Sequence, residues 1–566
     1  MVENDARYPL SSPANAVSTP LIAFSTNDYT GIAQELIAVW PKECDLDTIR
    51  HLPLHLSTHL HMRPCTPSTT YSSGHSPTVH AVLQPPPPGL HPVLIARKLL
   101  SIASLLQGAL SMPDLPAKRQ ESFQQLILTV VGTVTKLVTT NDDLTCFVEG
   151  IECIMMEATI HNYAGKLHQA WRTVRRATTA AQLLGLHRDV PLSPESFLDP
   201  ESTVGFDTEE ICFQIMSMDR YLSMTLGLPH ASHIPYAITP ERLLAFEPID
   251  RMARLQCRIS EQILERTQKD LTETREIDKL LFAAAAEMPH YWWLIPELAS
   301  HKDDQRNRAR TIARFNYQFA HYHLLLRLYL PFVLHSSIHA EYAPGKSIAW
   351  SACRAILSRY IAFRTWNSGP YYCRGIDFLT FIATTVLCVA HINSRSPLAT
   401  PVRTSFPLTE MAHDYPTDRG MMQRALEIMQ RTEHDEVASK LSKILQSLLN
   451  LEGDAANGTA YNATAVDGDG CVSEYQGEFF DEGQKLQLRI PYVGTIILQR
   501  TPDLNLVEPT AGLSDPFTTS EPTSLEWDAE RSWQQAGQDD WTLQNVNQAL
   551  FSDLLSGVGH FQQTDH

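Results

Sequence analysis

The stretch NYAGKLHQAWRTVRRATTAAQLLGLHR, residues 162–188, spaces its apolar side chains at steps of three and four. Leu167, Ala170, Trp171, Val174, Ala177, Ala181 and Leu184 fall on one stripe, and Lys166, Arg172, Arg175 and Arg176 fall largely outside it. That pattern predicts an amphipathic helix over 164–184 with one face in a core. Gly185 follows, the residue type that takes the left-handed backbone closing a helix most easily, and Leu186 is placed to seal it with an apolar contact.

The same texture extends in both directions. Helical periodicity recurs over 94–110, 123–138 and 144–158 upstream, and over 210–229, 312–331, 348–363, 376–392, 421–429 and 437–449 downstream. Asp207 with Glu210 three residues later has the spacing of a capping box ahead of the 210–229 helix, which stops at Gly227 and Pro229. Pro331 is expected to end or bend the segment before it. No strand alternation interrupts 93–451, so the fold class expected is all-α: a multi-helix body with a short strand-like C-terminal hairpin and a disordered acidic tail.

The rest of the chain divides around that body. Residues 1–63 hold one candidate helix, with Ile32, Leu36, Ile37 and Trp40 at helical spacing. Residues 64–92 include eight prolines in 29 positions, which predicts an extended connector without regular helix. Gly, Asp, Asn and Thr over 452–484 read as a linker, and KLQLRIPYVGTIIL over 485–498 as a hairpin leaning on the helices. Residues 499–566 form an acidic tail.

Charge sharpens the division. The 566 residues carry a net charge of −18, of which residues 451–566 hold −15, leaving a nearly neutral body. A balance of that sign argues against broad attraction to nucleic acid or an anionic membrane. No basic n-region with an apolar core opens the chain, so no secretory leader is expected. The apolar run 376–392 includes Asp377 and three threonines and is expected to be a buried helix rather than a membrane span. Ten scattered cysteines suit reduced thiols, and Cys146 and Cys153, seven apart, would share a helical face as small core residues.

Catalytic constellations are scarce. The chain has no phosphate loop, dinucleotide fingerprint, GxSxG elbow or HExxH, and an enzyme is not expected. His51, His55 and His59 are four apart, but Pro53 breaks the helix that would align them, so no metal or other cofactor is implied. The arginine groups 172, 175, 176 and 306, 308, 310, 314 are expected to face water or pair with acids rather than hold DNA phosphates.

At the level of particular residues, 162–188 resembles the signature of the fungal-specific transcription factor regulatory domain, the middle homology region of the fungal zinc-cluster regulators. Gly165, the Ala170-Trp171 pair and Leu184, Gly185, Leu186, His187 and Arg188 match its pattern. Asp219, Arg220, Leu226, Gly227 and Pro229 are similar to a second family segment, and YHLLLRLYLPFVL over 322–334 to a third. The resemblance spans about 93–451. It implies structural roles: Trp171 as a core anchor, Gly185 as a cap, Asp219 and Arg220 as a pair holding helices together.

One departure is as informative as the match. Family members usually begin with a six-cysteine cluster binding two zinc ions, whereas this chain has no CxxC, and only Cys44 and Cys65 precede the helical body. Two expectations follow: a zinc cluster encoded ahead of this start, or a regulator that reaches DNA through a partner. The resemblance implies a nuclear regulator of a fungal pathway or gene cluster, such as one for secondary metabolism, with transcription coactivators or other regulators as partners, a small-molecule effector as a further candidate, and no membrane. The alternative is a helical scaffold or adaptor, against which the lack of a repeat of about 34 residues counts. In the tail, Leu543, Val546, Leu550 and Leu554 form a helical stripe that Trp541, Phe551 and Leu555 broaden, while Asp539, Asp540 and Asp553 add charge. That combination is expected to be an activation segment for a basic coactivator groove.

Overall fold

The computed structural model describes residues 29–51, 79–110, 115–188, 192–199, 207–231, 239–266, 270–296, 305–334, 343–367, 372–395, 406–431, 436–466, 485–490, 494–500 and 543–545. Sixteen α-helices and four short strands lie within them, which makes the body all-α with a small sheet appended.

The first group comprises α1 (Thr30–Ala38), α2 (Glu43–His51), α3 (Val79–Leu83), α4 (Pro92–Ala109), α5 (Ala117–Val134) and α6 (Val148–Tyr163). Leu36, Leu46, Leu83, Leu99, Phe123 and Val130 are among the buried residues of its core. Two expectations change here. The N-terminal segment holds two helices, and the proline-rich connector contains α3, because residues 79–83 lie between prolines and burial of Val82 and Leu83 stabilises the turn. The helix expected to reach residue 138 passes at Thr135–Thr139 into a π-turn, and Cys146 lies ahead of α6 while Cys153 is buried within it.

Helix α6 is apolar on more than one side and is buried along most of its length. Met156 and Ile160 face the first core, whereas Ile151, Ile154 and Met155 join a second core with α7 (Leu167–Leu183) and α8 (Thr208–Leu226). The third and largest core gathers α10 (Pro248–Glu265), α11 (Leu271–Ala286), α12 (Gln305–Leu334), α13 (Ala343–Trp366), α14 (Gly375–Arg395), α15 (Phe406–Gln430) and α16 (Glu436–Ala456). A short α9 (Pro240–Leu244) precedes them. Helices α4 and α14 are long and apolar enough to cross a membrane, yet both are buried in these cores, α14 completely over its most apolar window.

Pro331 does not end α12, which runs on to Leu334. Proline has no N–H to give the carbonyl of Arg327. The buried Arg266 guanidinium serves that carbonyl from outside, with Nη2 donating to Arg327 O at 3.2 Å and to Leu328 O at 2.6 Å.

The C-terminal hairpin is β2 (Lys485–Ile490) with β3 (Gly494–Arg500), but it is half of a four-stranded sheet of order β1-β3-β2-β4. Strand β1 (Tyr461–Val466) pairs antiparallel with β3, placing Ala463 opposite Leu498. Tyr461, Leu488, Ile496 and Leu498 seal the sheet onto the largest core. The expected linker 452–484 is therefore corrected at both ends of its first half: α16 continues to Ala456 and β1 follows. Strand β4 (Leu543–Asn545) pairs parallel with β2, so Leu543 begins a strand where a helical stripe was expected. Asp539, Asp540, Trp541, Leu550, Phe551, Leu554 and Leu555 lie outside the described residues, as do His55 and His59.

Candidate functional site: a polar seam between helices

Residues of the two quoted motifs meet where α7, α8 and α10 come together. Gly165 belongs to the end of α6 rather than the start of α7: its φ is 77°, Lys166 N donates to His161 O at 2.9 Å, and a Cβ there would stand 2.9 Å from Val437 Cγ2. At the far end of α7, Gly185 has φ 79° and Leu186 N donates to Ala181 O at 3.0 Å, with the Leu186 side chain buried. His187 is half-buried and Arg188 is exposed.

Trp171 is half-buried, not enclosed as a core anchor would be. Its ring packs beside the second core while Nε1 donates to Ser223 Oγ at 3.0 Å, and Ser223 Oγ donates in turn to Pro229 O at 3.2 Å. Arg175 lies over the indole at 4.6 Å, reaches Pro229 O, and stands 2.9 Å from Asp219 Oδ1 as an ion pair. Asp219 Oδ2 accepts from Ala231 N at 2.7 Å. Gly227, with φ 68°, turns the chain so that Pro229 and Ala231 fold back onto α8.

Asp219 and Arg220 are adjacent in sequence and serve opposite sides. Arg220 turns to α10, donating through Nη1 to Cys257 Sγ at 3.0 Å and pairing through Nη2 with Glu261 at 2.7 Å. The burial around Asp219 pushes its carboxyl up, against the pull of the Ala231 amide and Arg175. Asp207 caps α8 by accepting from Glu209 N at 2.8 Å, but the reciprocal half of a capping box is absent because Glu210 is buried against Arg254, 2.6 Å away.

Of the arginines quoted for DNA contact, Arg175, Arg176 and Arg314 are engaged in the fold, and Arg172 is exposed. Arg176 pairs with buried Glu157 at 2.7 Å, and Arg314 donates to the carbonyls of Tyr291, Trp292 and Leu294. Glu157 also accepts from Thr139 and Thr173; burial would raise its carboxyl, and His161 and Arg176 bring it below the ordinary range.

Further joints were missed at the sequence level. Glu149 receives the amides of Leu198 and Asp199, and Asp377 accepts from Tyr360 at 2.9 Å and from Tyr372 at 2.6 Å. His391 lies between Asp418 and Glu452, each 3.3 Å away. The available signal was a charged residue inside an otherwise apolar helix, such as the three glutamates of VEGIECIMMEATIHNY or Asp377 and His391 in α14. Such residues announce a buried partner without naming it.

Among the described residues no group of three His, Cys, Asp or Glu side chains is arranged to hold a metal ion. What the geometry defines is a helical body whose packed helices are joined by buried polar groups. No family model and no solved structure matches the chain. The curated relatives do: the transcription factor eupR of Phoma sp is 34% identical over 320 residues, covering 54% of this chain and 67% of that protein. A dehydrocurvularin biosynthesis regulator of Alternaria cinerariae is 29% identical across 90% of this chain and 65% of its own length. Another of that description from Aspergillus terreus is 29% identical across 94% of this chain and 82% of its own. The chain belongs to the family of fungal transcription factors and biosynthesis regulators that these proteins represent.

Proposed function

We propose that this protein is a nuclear transcription regulator of a fungal biosynthetic gene cluster, that residues 93–451 are its middle homology region, and that the acidic tail engages coactivators. The supporting observation is likeness along nearly the whole chain to two regulators of one biosynthesis, at 29% identity each. The polar seam of Trp171, Arg175, Asp219 and Ser223 fits this reading as a means of fixing helix geometry.

The test is to delete the gene in its source fungus and to tag the chromosomal copy. Loss of transcripts from one contiguous set of biosynthetic genes, with the tagged protein at their promoters, is the expected result. Unchanged transcripts and no promoter occupancy would favour the scaffold alternative.

A further inference from the structure

The joint around His391 differs from the others in holding an imidazole between two carboxylates inside the core. His391, near the end of α14, is 1% exposed, and Asp418 on α15 and Glu452 on α16 are fully buried. Nε2 lies 3.3 Å from Asp418 Oδ2 and Nδ1 lies 3.3 Å from Glu452 Oε1. The ring of Tyr415 meets the imidazole edge-on at 5.0 Å between centroids.

Charged neighbours close the joint on every packed element. From α13, Arg354 clasps Asp418 with Nε and Nη2 at 2.8 and 2.9 Å and also reaches Asp414 at 3.2 Å. From α15, Arg419 pairs with Glu452 and donates to Leu449 O at 2.7 Å. From α14 itself, Arg395 approaches Glu452 at 3.6 Å and covers the Tyr415 ring at 4.0 Å, and the buried thiol of Cys388 lies nearby. Beyond α16, Tyr461 opens β1, whose strand packs on α14.

A protonated imidazole hydrogen-bonds to Asp418 through Nε2 and sets its second N–H beside Glu452 as an ion pair without hydrogen-bond alignment. A neutral one gives up either the Nε2 proton at Asp418 or the Nδ1 proton beside Glu452, and with it the positive charge between two buried anions. The arginines stay charged at any physiological pH, so the histidine is the member of the joint that changes state there.

We propose that His391 is a proton-operated latch: its imidazolium, bridging Asp418 and Glu452, seats α16 and the sheet that follows it on the helical body. Burial by itself lowers the imidazole's affinity for its proton, and the two carboxylates outweigh that and raise it above the ordinary histidine value. Both carboxylates are correspondingly held below theirs against burial, Asp418 by His391 and Arg354, Glu452 by His391 and Arg419. The sign follows from linkage. A group whose folded value is raised contributes in full below its unfolded value of about 6.5, and the contribution is lost as pH rises through the folded value. The latch is closed below the ordinary histidine value and opens as pH rises through the raised one, whatever genes the protein controls.

The test combines histidine carbon NMR with hydrogen exchange on the full chain between pH 6 and pH 9, each amide referred to its intrinsic rate. The expected result is an imidazole, assigned through loss of its signal in His391→Gln, that titrates above the ordinary value. With it, protection over 436–466 should fall about tenfold for each unit by which that value is raised, while 148–163 stays unchanged. His391→Gln should show low protection over 436–466 with no pH dependence. Titration at or below the ordinary value, an equal loss across the whole chain, or the same pH dependence in His391→Gln would each overturn the latch. Should that variant fail to fold, assignment in Glu452→Gln and the wild-type exchange profile decide the matter.

Discussion

Trp171 and Gly375 show how far single residues carry the packing. A fully enclosed tryptophan replaced by alanine costs about 3 to 5 kcal/mol. Trp171 is half-exposed, so Trp171→Ala is expected to cost about 2 to 3 kcal/mol, part of it from the hydrogen bond to Ser223. Trp171→Phe keeps the ring and loses that bond, and should cost about 1 kcal/mol; urea unfolding of the two variants separates the shares. Gly375 opens α14 directly against α8, where an added Cβ would stand 1.7 Å from Tyr221 Oη. Gly375→Ala should therefore destabilise by roughly 1 to 3 kcal/mol, and Tyr221→Phe should recover part of that loss in the double variant. Additive losses would mean that the helices part without strain.

Among the elements, α12 is the clearest case of a local signal overruled by a distant one. Pro331 should stop a helix, yet Arg266, from just beyond α10, satisfies the carbonyls of Arg327 and Leu328 and lets the last turn form. Arg266 is itself anchored on Thr274 Oγ1 at 2.8 Å, and burial pulls its guanidinium down to about 10. Arg266→Met removes the donors while filling much of the space. It should cost about 2 to 3 kcal/mol and increase exchange of the amides at 332–334 before those earlier in α12, as hydrogen exchange would detect. The variant Pro331→Ala restores the internal donor and should soften the loss when combined with Arg266→Met, a coupling that unfolding of the double variant measures.

For the whole molecule, the balance to measure is between the body and the tail. Strand β4 places Leu543–Asn545 along the edge of β2, which covers backbone groups that an open edge would present. Leu543–Asn545 of the segment proposed for coactivators thus lie beside the protein's own sheet. Residues 521–566 fused to an unrelated DNA-binding domain are expected to activate a reporter, and alanine at Trp541, Phe551 and Leu554 to abolish it. A silent fusion would assign the stripe to the protein's own surface instead. Activation by the unsubstituted fusion at a level that alanine does not change would place the activity in the acidic residues alone.

Helical periodicity is a property of neighbours three and four positions apart, and it was sufficient to place α4 to α8 and α12 to α16, though not α9 to α11, and to find Gly185 and Gly227 as helix ends. The family-like motifs were readable for the same reason, being short and contiguous. Long-range choices were not legible. Nothing near Arg266 points to Pro331, nothing near Asp219 separates Arg175 from its neighbour Arg220, and nothing in α14 pairs His391 with residues 27 and 61 positions later. Strand β1 was hidden in a polar stretch because its order comes from pairing with β3 across a gap in sequence. A local pattern says which face of an element will be buried; which charged groups can afford burial is settled only when the packed helices bring each one its partner, since desolvation is repaid by contacts that no local window contains.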